Sequence, residues 1–514
     1  MVDPKALDGW RKLSLVHETL PFLVSAIVVC YLYIGLGDGH LFNEDFAVYL
    51  QQAWNIAHHV AMTNMGVVQY VDPNLSLLFQ SPLTYPPLLP LLYTVPVALI
   101  GFDIEVFKVL QLGILLGGFC LFCYAMRTWK FSPLENSISI LMFGLSYEIR
   151  RSVNSIGSDI PFVLFLIFSL VVVDVFVRAT SERRYVWGIV AGVAIFLTIN
   201  VRTVGVALLP TLLLADCIVN RRLKLLSLIV PIAVTGALWT GQRLLGWSGG
   251  TYGFVLHYRF FTPIENIQQF YWALTAPLKN STFPKIATAI FLLLGVTAAI
   301  GLVYETAKGT IIAVFIAVYS ILLLILPNFD SGARYLVPQL LVLGAFAVRG
   351  AAVINRSITG ARRGGEAPVW VTAILGLIWC ALVPSPLPPG HWNFGVTSDP
   401  ARELFAFIRE QAPSDALIAT SKPRSFHLFT QRTTIRLPEL HSRHELDEWL
   451  RSHRVTEVAV KYSPARWSYD LTDCPELPLC GAESSPRIKQ IFRNSDFVLL
   501  QILPGEDRDR GISQ

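Results

Sequence analysis

Charge is scarce in this sequence. Asp, Glu, Lys and Arg make up 15% of its 514 residues, against about 25% in a soluble chain. No Lys or Arg occurs between Leu13 and Phe107. With 53% hydrophobic residues and a positive mean hydropathy, this scarcity excludes an ordinary soluble enzyme. The short alternating strands of an outer-membrane barrel are also missing. The net charge of +5 is scattered through loops with no sustained basic stripe, which argues against a nucleic-acid partner. There is no glycine-rich nucleotide loop and no metal-ligand cysteine spacing. No segment reads as a cleaved signal peptide, so the first apolar run is expected to remain as a helix. Most of the seven cysteines stand singly in apolar runs, as small hydrophobes do. Cys474 and Cys480 lie close together in a polar stretch and are a candidate disulfide if that stretch is outside the cell.

In place of these features stands a series of apolar runs near the roughly 20 residues that cross a bilayer. The expected spans are 18–37, 105–126, 134–150, 159–178, 184–200, 203–219, 224–244, 285–304, 308–326, 335–353 and 368–385. The segment 86–102, PPLLPLLYTVPVALIGF, is short for a core of about 30 Å and interrupted by prolines. Lys5, Arg11 and Lys12 put the N-terminus inside, and Arg127 and Lys130 fall inside only if 86–102 does not cross. It is therefore expected to be juxtamembrane or re-entrant. The count is eleven spans, in a range of about 11–13, with long external loops at 38–104 and 245–284.

After the last span, PSPLPPG at 384–390 reads as a stiff linker. Residues 391–514 then change character. ARELFAFIRE, PRSFHLFT and HELDEWLRSHR have helical spacing, while ALIAT, TTIRL, VTEVAVKY and DFVLLQIL read as strands. The fold class expected is a polytopic α-helical membrane domain, 1–390, followed by a small extracytoplasmic α/β domain with a partly parallel sheet.

Several polar residues stand out against the apolar background. Glu44 and Asp45 open the run FAVYLQQAWNIA. Tyr49, Ala53 and Ile56 give that run a helical stripe, which predicts a helix lying along the membrane face. The two acids could simply suit a helix start, accept a proton from a hydroxyl, or hold a divalent cation such as Mg or Mn together with Asp159. Asp45 is the preferred base. Asp159, in SIGSDIP, enters an apolar helix from a loop, where a carboxylate is expensive unless paired or used; Ser158 could cap that helix, and Arg150 and Arg151 could neutralise the acid. Arg202 and Arg334 interrupt apolar sequence on the expected outer face and could grip a phosphate or snorkel to headgroups. His257, Tyr258 and Arg259, with Tyr85 in the proline-stiffened TYPP, are candidate substrate contacts.

Taken in order, these motifs resemble the polyprenyl-phosphate-dependent membrane glycosyltransferases of the GT-C superfamily, the group that includes protein mannosyltransferases and aminoarabinose transferases. Glu44, Asp45, Tyr49 and Ala53 resemble the first-loop motif. Tyr85, Pro86 and Pro87 resemble its YPP, Asp159 with Pro161 the second-loop acid, and Arg202 and Arg334 the later arginines. The usual acidic pair is Asp-Glu; Asn43-Glu44-Asp45 leaves the base open between Glu44 and Asp45. The resemblance implies transfer of a sugar, with inversion, from a polyprenyl-phosphate donor to a glycan, lipid or protein acceptor outside the membrane. The rival expectation is a transporter or flippase, which would carry internal repeats and interrupted helices near the midplane.

Overall fold

The computed structural model describes residues 4–42, 44–68, 84–221, 225–247, 263–275, 278–279, 281–325, 332–359, 367–382, 395–438, 443–461 and 487–503. His257, Tyr258, Arg259, Cys474 and Cys480 lie outside the described residues, and so does the side chain of Glu44. The chain divides into two units. One comprises residues 1–36, 86–89 and 106–389, and the other residues 37–85, 90–105 and 390–514.

The first unit is helical. Among the described residues six helices are long and apolar enough to cross a membrane: Ile104–Thr128, Asp159–Arg178, Ser181–Val201, Thr203–Asn220, Pro284–Ala307 and Arg334–Thr359. Glu18–Ile34, Ile311–Ile325 and Trp370–Leu382 are shorter apolar helices of the same unit. The chain is thus a polytopic α-helical membrane protein with an additional mixed domain. The expected span 134–150 is not one helix. Pro133–Gly144 and Tyr147–Val153 are separated at Leu145–Ser146, where the Ser146 hydroxyl accepts from the Ile149 amide and donates to the Phe143 carbonyl. A serine cap offers the backbone an ending that a uniform apolar pattern conceals. Twelve residues reach only about 18 Å, too short to cross.

Packing in this unit uses glycine where helices meet. A methyl group at Gly350 would collide with the Thr297 carbonyl, and one at Gly301 with that of Phe346. Helices Pro284–Ala307 and Val337–Thr359 can therefore approach backbone to backbone. Charges within the unit are paired in the same spirit. Arg184 binds Asp216, with side chains only 3% and 0% exposed, and Arg349 reaches Glu135 at 2.6 Å and Glu305 at 3.7 Å.

The second unit is built on a six-stranded sheet: β1 (Val67–Val68), β2 (Leu417–Thr420), β3 (Thr433–Arg436), β4 (Glu457–Lys461), β5 (Ile488–Arg493) and β6 (Phe497–Ile502), in the order β1-β3-β2-β4-β6-β5. The first four neighbours run parallel, and β6 and β5 are antiparallel. Helices Pro423–Thr430 and Arg443–Ser452 are the crossovers between the parallel strands. β1 comes from the long loop after the first helix, pairing Val67 with Thr434 and Val68 with Ile435. That loop also contributes Phe42 and Phe46, whose rings meet Phe405, Phe426, Phe429 and Phe497. His40 and Gly395 form a further bridge, the Val396 amide donating to the His40 carbonyl at 2.9 Å. The C-terminal domain therefore includes part of the first loop in its sheet and its aromatic core.

This incorporation corrects one expectation. Helix Glu44–Ala57 is buried continuously from Phe46 to Ala53, on all sides rather than along one stripe. Phe46 packs on Phe429, so the protein interior takes the place expected for a membrane surface. Helix Leu88–Ile100 is 13 residues, about 20 Å, and too short to cross. Ser398 begins helix Asp399–Gln411 with Pro400 in its first turn, yet its hydroxyl bonds back to Gly395 rather than capping.

Candidate active site

Two polar clusters contain the described residues singled out from the sequence, one in each unit. In the membrane unit, Asp159 is the first residue of helix Asp159–Arg178. Its entry turn is held by Gln111, whose amide donates to the Gly157 carbonyl at 3.2 Å. Ser158 makes no side-chain cap. Asp159 is paired with Arg202 through one carboxylate oxygen, and Arg334 donates from Nε to the other at 3.0 Å. Arg202 and Arg334 are thus ion-pair partners of Asp159. Arg202 occupies the break between helix Ser181–Val201 and a 3-10 turn, Thr203–Ala207, and Arg334 lies in a second 3-10 turn, Gly332–Leu336. Irregular backbone at both places brings a guanidinium to a helix start.

Aromatic groups support the arrangement. The Arg202 guanidinium lies 4.8 Å from the Tyr335 ring centroid and 5.9 Å from that of Phe162. The Tyr319 hydroxyl donates to the Tyr335 carbonyl at 3.0 Å. Asp159 is 7% exposed, Arg202 12% and Arg334 24%, so the trio is open chiefly at Arg334. Two guanidiniums converge on one carboxylate in a setting where water screens little. Such a site favours an anion, and forked N–H donors suit phosphate oxygens.

In the second unit, Asp45, Tyr49 and Gln52 share one face of helix Glu44–Ala57 at i, i+4 and i+7. Together they hold Tyr85 at three points. Gln52 binds its backbone, donating to the Tyr85 carbonyl and accepting from the Tyr85 amide, both at 3.1 Å. Tyr49 lies against its ring with centroids 4.9 Å apart. The Tyr85 hydroxyl donates to Asp45 Oδ1 at 2.7 Å. Gln52 is fully buried, and its side chain mimics a strand neighbour for a residue 33 positions away.

The residues present fit a divalent cation poorly at Asp159. Both its oxygens already accept from guanidiniums, whose charge repels a metal ion. Among the described residues no three His, Cys, Asp or Glu side chains converge as ligands. Sequence reasoning missed Gln52, the supporting tyrosines Tyr319 and Tyr335, and Glu148. Gln52 could have been found as a polar residue seven positions after Asp45 on an otherwise apolar face. Glu148 stood inside an expected span.

No family model matches this sequence, and no curated protein matches it by sequence. The fold, however, is similar to that of two solved proteins. ArnT from Cupriavidus metallidurans in its apo state is 13% identical, with a TM-score of 0.53 over 96% of this chain and 98% of that one. The same protein bound to undecaprenyl phosphate matches at the same score over 93% and 97%. The Archaeoglobus fulgidus oligosaccharyltransferase tethered to an acceptor peptide is 11% identical, also at 0.53, over 86% of this chain and 69% of that one. At such identities the likeness is one of fold.

Proposed function

We propose that this chain transfers a sugar from a polyprenyl-phosphate donor to an acceptor hydroxyl at the extracytoplasmic face of the membrane, with inversion at the anomeric carbon. The observation that carries this reading is Asp159 bracketed by Arg202 and Arg334, two guanidiniums brought together where forked donors suit phosphate oxygens. It is supported by the likeness in fold to a protein crystallised with undecaprenyl phosphate.

The chemistry divides between the two clusters. Arg202 and Arg334 face the donor phosphate and stabilise the charge that grows on it as its bond to the anomeric carbon breaks. Asp159 holds the two guanidiniums together and in place. The acceptor oxygen attacks the anomeric carbon from the opposite face, and a carboxylate takes its proton, a role for which the sequence favours Asp45 over Glu44. Tyr85 fixes the orientation of that carboxylate. The lipid phosphate leaves as an anion, so atoms and charge balance without a step through a metal ion. Acceptor identity (glycan, lipid or protein) lies outside what these residues specify.

The test is Asp45→Asn in full-length protein reconstituted in vesicles with lipid-linked sugars extracted from the source membranes. Transfer should fall at least about a thousandfold, with base catalysis lost, while binding of undecaprenyl phosphate is unchanged. Full transfer by the variant removes Asp45 from the base role. In a deletion strain, a lipid-linked sugar should accumulate and one surface glycan modification should disappear.

A further inference from the structure

A cavity in the membrane unit is lined by Ser146, Tyr147, Glu148, Leu274, Leu278, Leu340 and Trp379. Its free volume, about 20 Å³, accommodates one water-sized group. Two of its lining side chains carry unspent polarity. Glu148 is 6% exposed and its Oε2 has no hydrogen-bond partner among the described residues; Trp379 is 5% exposed and its indole N–H has none either. The other buried acids named above in this unit, Glu135, Asp159, Asp216 and Glu305, each meet a cation. Glu148 is therefore an exception among these acids, and buried groups such as its carboxylate and the Trp379 indole call for a partner.

Their chemistry defines that partner. The partnerless Glu148 oxygen can accept, and an indole N–H only donates. One small group serves both at once by donating to the first and accepting from the second, and a hydroxyl does so with a single oxygen. An ammonium cannot accept from the indole, and a phosphate cannot donate to the carboxylate when fully ionised. Three leucines close the remaining wall against anything larger or charged. Glu148 is also within electrostatic reach of Arg151, Asp159 and Arg334. The indole ring is fixed by stacking on Phe291, with centroids 5.8 Å apart, and Ser146 fixes the start of the short helix that carries Glu148.

We infer that this cavity receives one hydroxyl group of the donor's sugar, with Glu148 accepting its proton in a hydrogen bond and Trp379 donating to its oxygen. The inference rests on the glycosyl-transfer reading and adds to it a sugar-recognition subsite. A trapped water is the other hydroxyl-bearing occupant that fits.

The experiment compares two probes on full-length protein in detergent: undecaprenyl phosphate, and lipid-linked sugars extracted from the source membranes. Wild-type protein should bind the sugar-bearing lipids at least about tenfold more tightly, a preference of the size one charge-assisted hydrogen bond supplies. Glu148→Gln and Trp379→Phe should each remove most of that preference and leave undecaprenyl phosphate binding unchanged. Trp379→Phe keeps the stacked ring and carries the test alone if Glu148→Gln does not yield folded protein. Preference retained in both variants means a water occupies the cavity and overturns the inference. Absence of any preference in the wild type overturns it as well. Failure of wild-type protein to bind undecaprenyl phosphate at all would instead strike the glycosyl-transfer reading itself.

Discussion

Asp159 and Asp45 are both carboxylates at the start of a helix, and their surroundings differ in kind. Asp159 accepts from two guanidiniums; Asp45 accepts from a neutral phenol that is itself held at backbone and ring. A carboxylate that gathers two cations cannot give up its charge without leaving both unpaired in a poorly solvated place. On the proposed reading, the same residue type organises charge in one unit and takes up a proton in the other.

Breaking the two sites should give opposite signatures. Asp159→Asn leaves two buried guanidiniums facing a neutral amide, and the folded protein should lose about 3–5 kcal/mol. Thermal unfolding in detergent checks this; for Asp45→Asn the loss should stay below about 1 kcal/mol. Similar destabilisation by both would erase the distinction. Arg334→Ala should raise KM for the lipid-linked donor about tenfold or more and leave KM for the acceptor nearly unchanged. Equal changes in both constants would count against a phosphate contact.

A smaller effect is expected at the positioning contacts. Tyr85→Phe removes a donor to Asp45, and a carboxylate that loses such a bond ionises less readily. The acid limb of the rate–pH profile should move to higher pH, with transfer at neutral pH falling about tenfold. Gln52→Ala should shift the limb in the same direction and Gln52→Glu should fail to restore it, because only an amide both donates and accepts here. An unchanged pH profile in these variants would mean the clip serves folding only.

The smallest effect lies far from either carboxylate. Burial pushes the His427 imidazole below its ordinary value of 6.5, against the pull of the Arg432 carbonyl. The unfolded chain therefore takes up the proton first as pH falls. Stability from this residue is complete above pH 6.5 and is lost in the window below it. Unfolding temperatures measured across that window should drop by about 2 °C in the wild type, and this part of the slope should be missing in His427→Gln. Glu457, raised by burial, works in the opposite sense: its contribution is present below 4.5 and lost as pH rises through its folded value.

Much of the architecture was legible because its causes are local. Apolar length placed the helices, and short apolar, β-branched runs placed β2, β3, β4 and β6. Ser146 breaking the stretch 134–150 was legible in principle, since a serine two residues before Glu148 is a helix-start pattern, but the apolar run obscured it. β1 is only two residues long and carries no pattern of its own. Helix Glu44–Ala57 was expected as a helix, whereas its environment was not, because a stripe of apolar residues cannot say whether lipid or protein will cover it.

From the sequence alone came the multispanning helical class, the mixed domain after the linker, and the short roster of acids and arginines with no ordinary place in apolar sequence. These follow from hydrophobic length, periodicity and the cost of burying charge, which act along the chain. Only the tertiary structure decided that Asp159 meets Arg202 and Arg334, 43 and 175 residues away, that Tyr85 returns across 40 residues to Asp45, and that the first loop completes the sheet of the last domain. Those pairings depend on which distant segments close together, and that is settled by the packing of the whole chain.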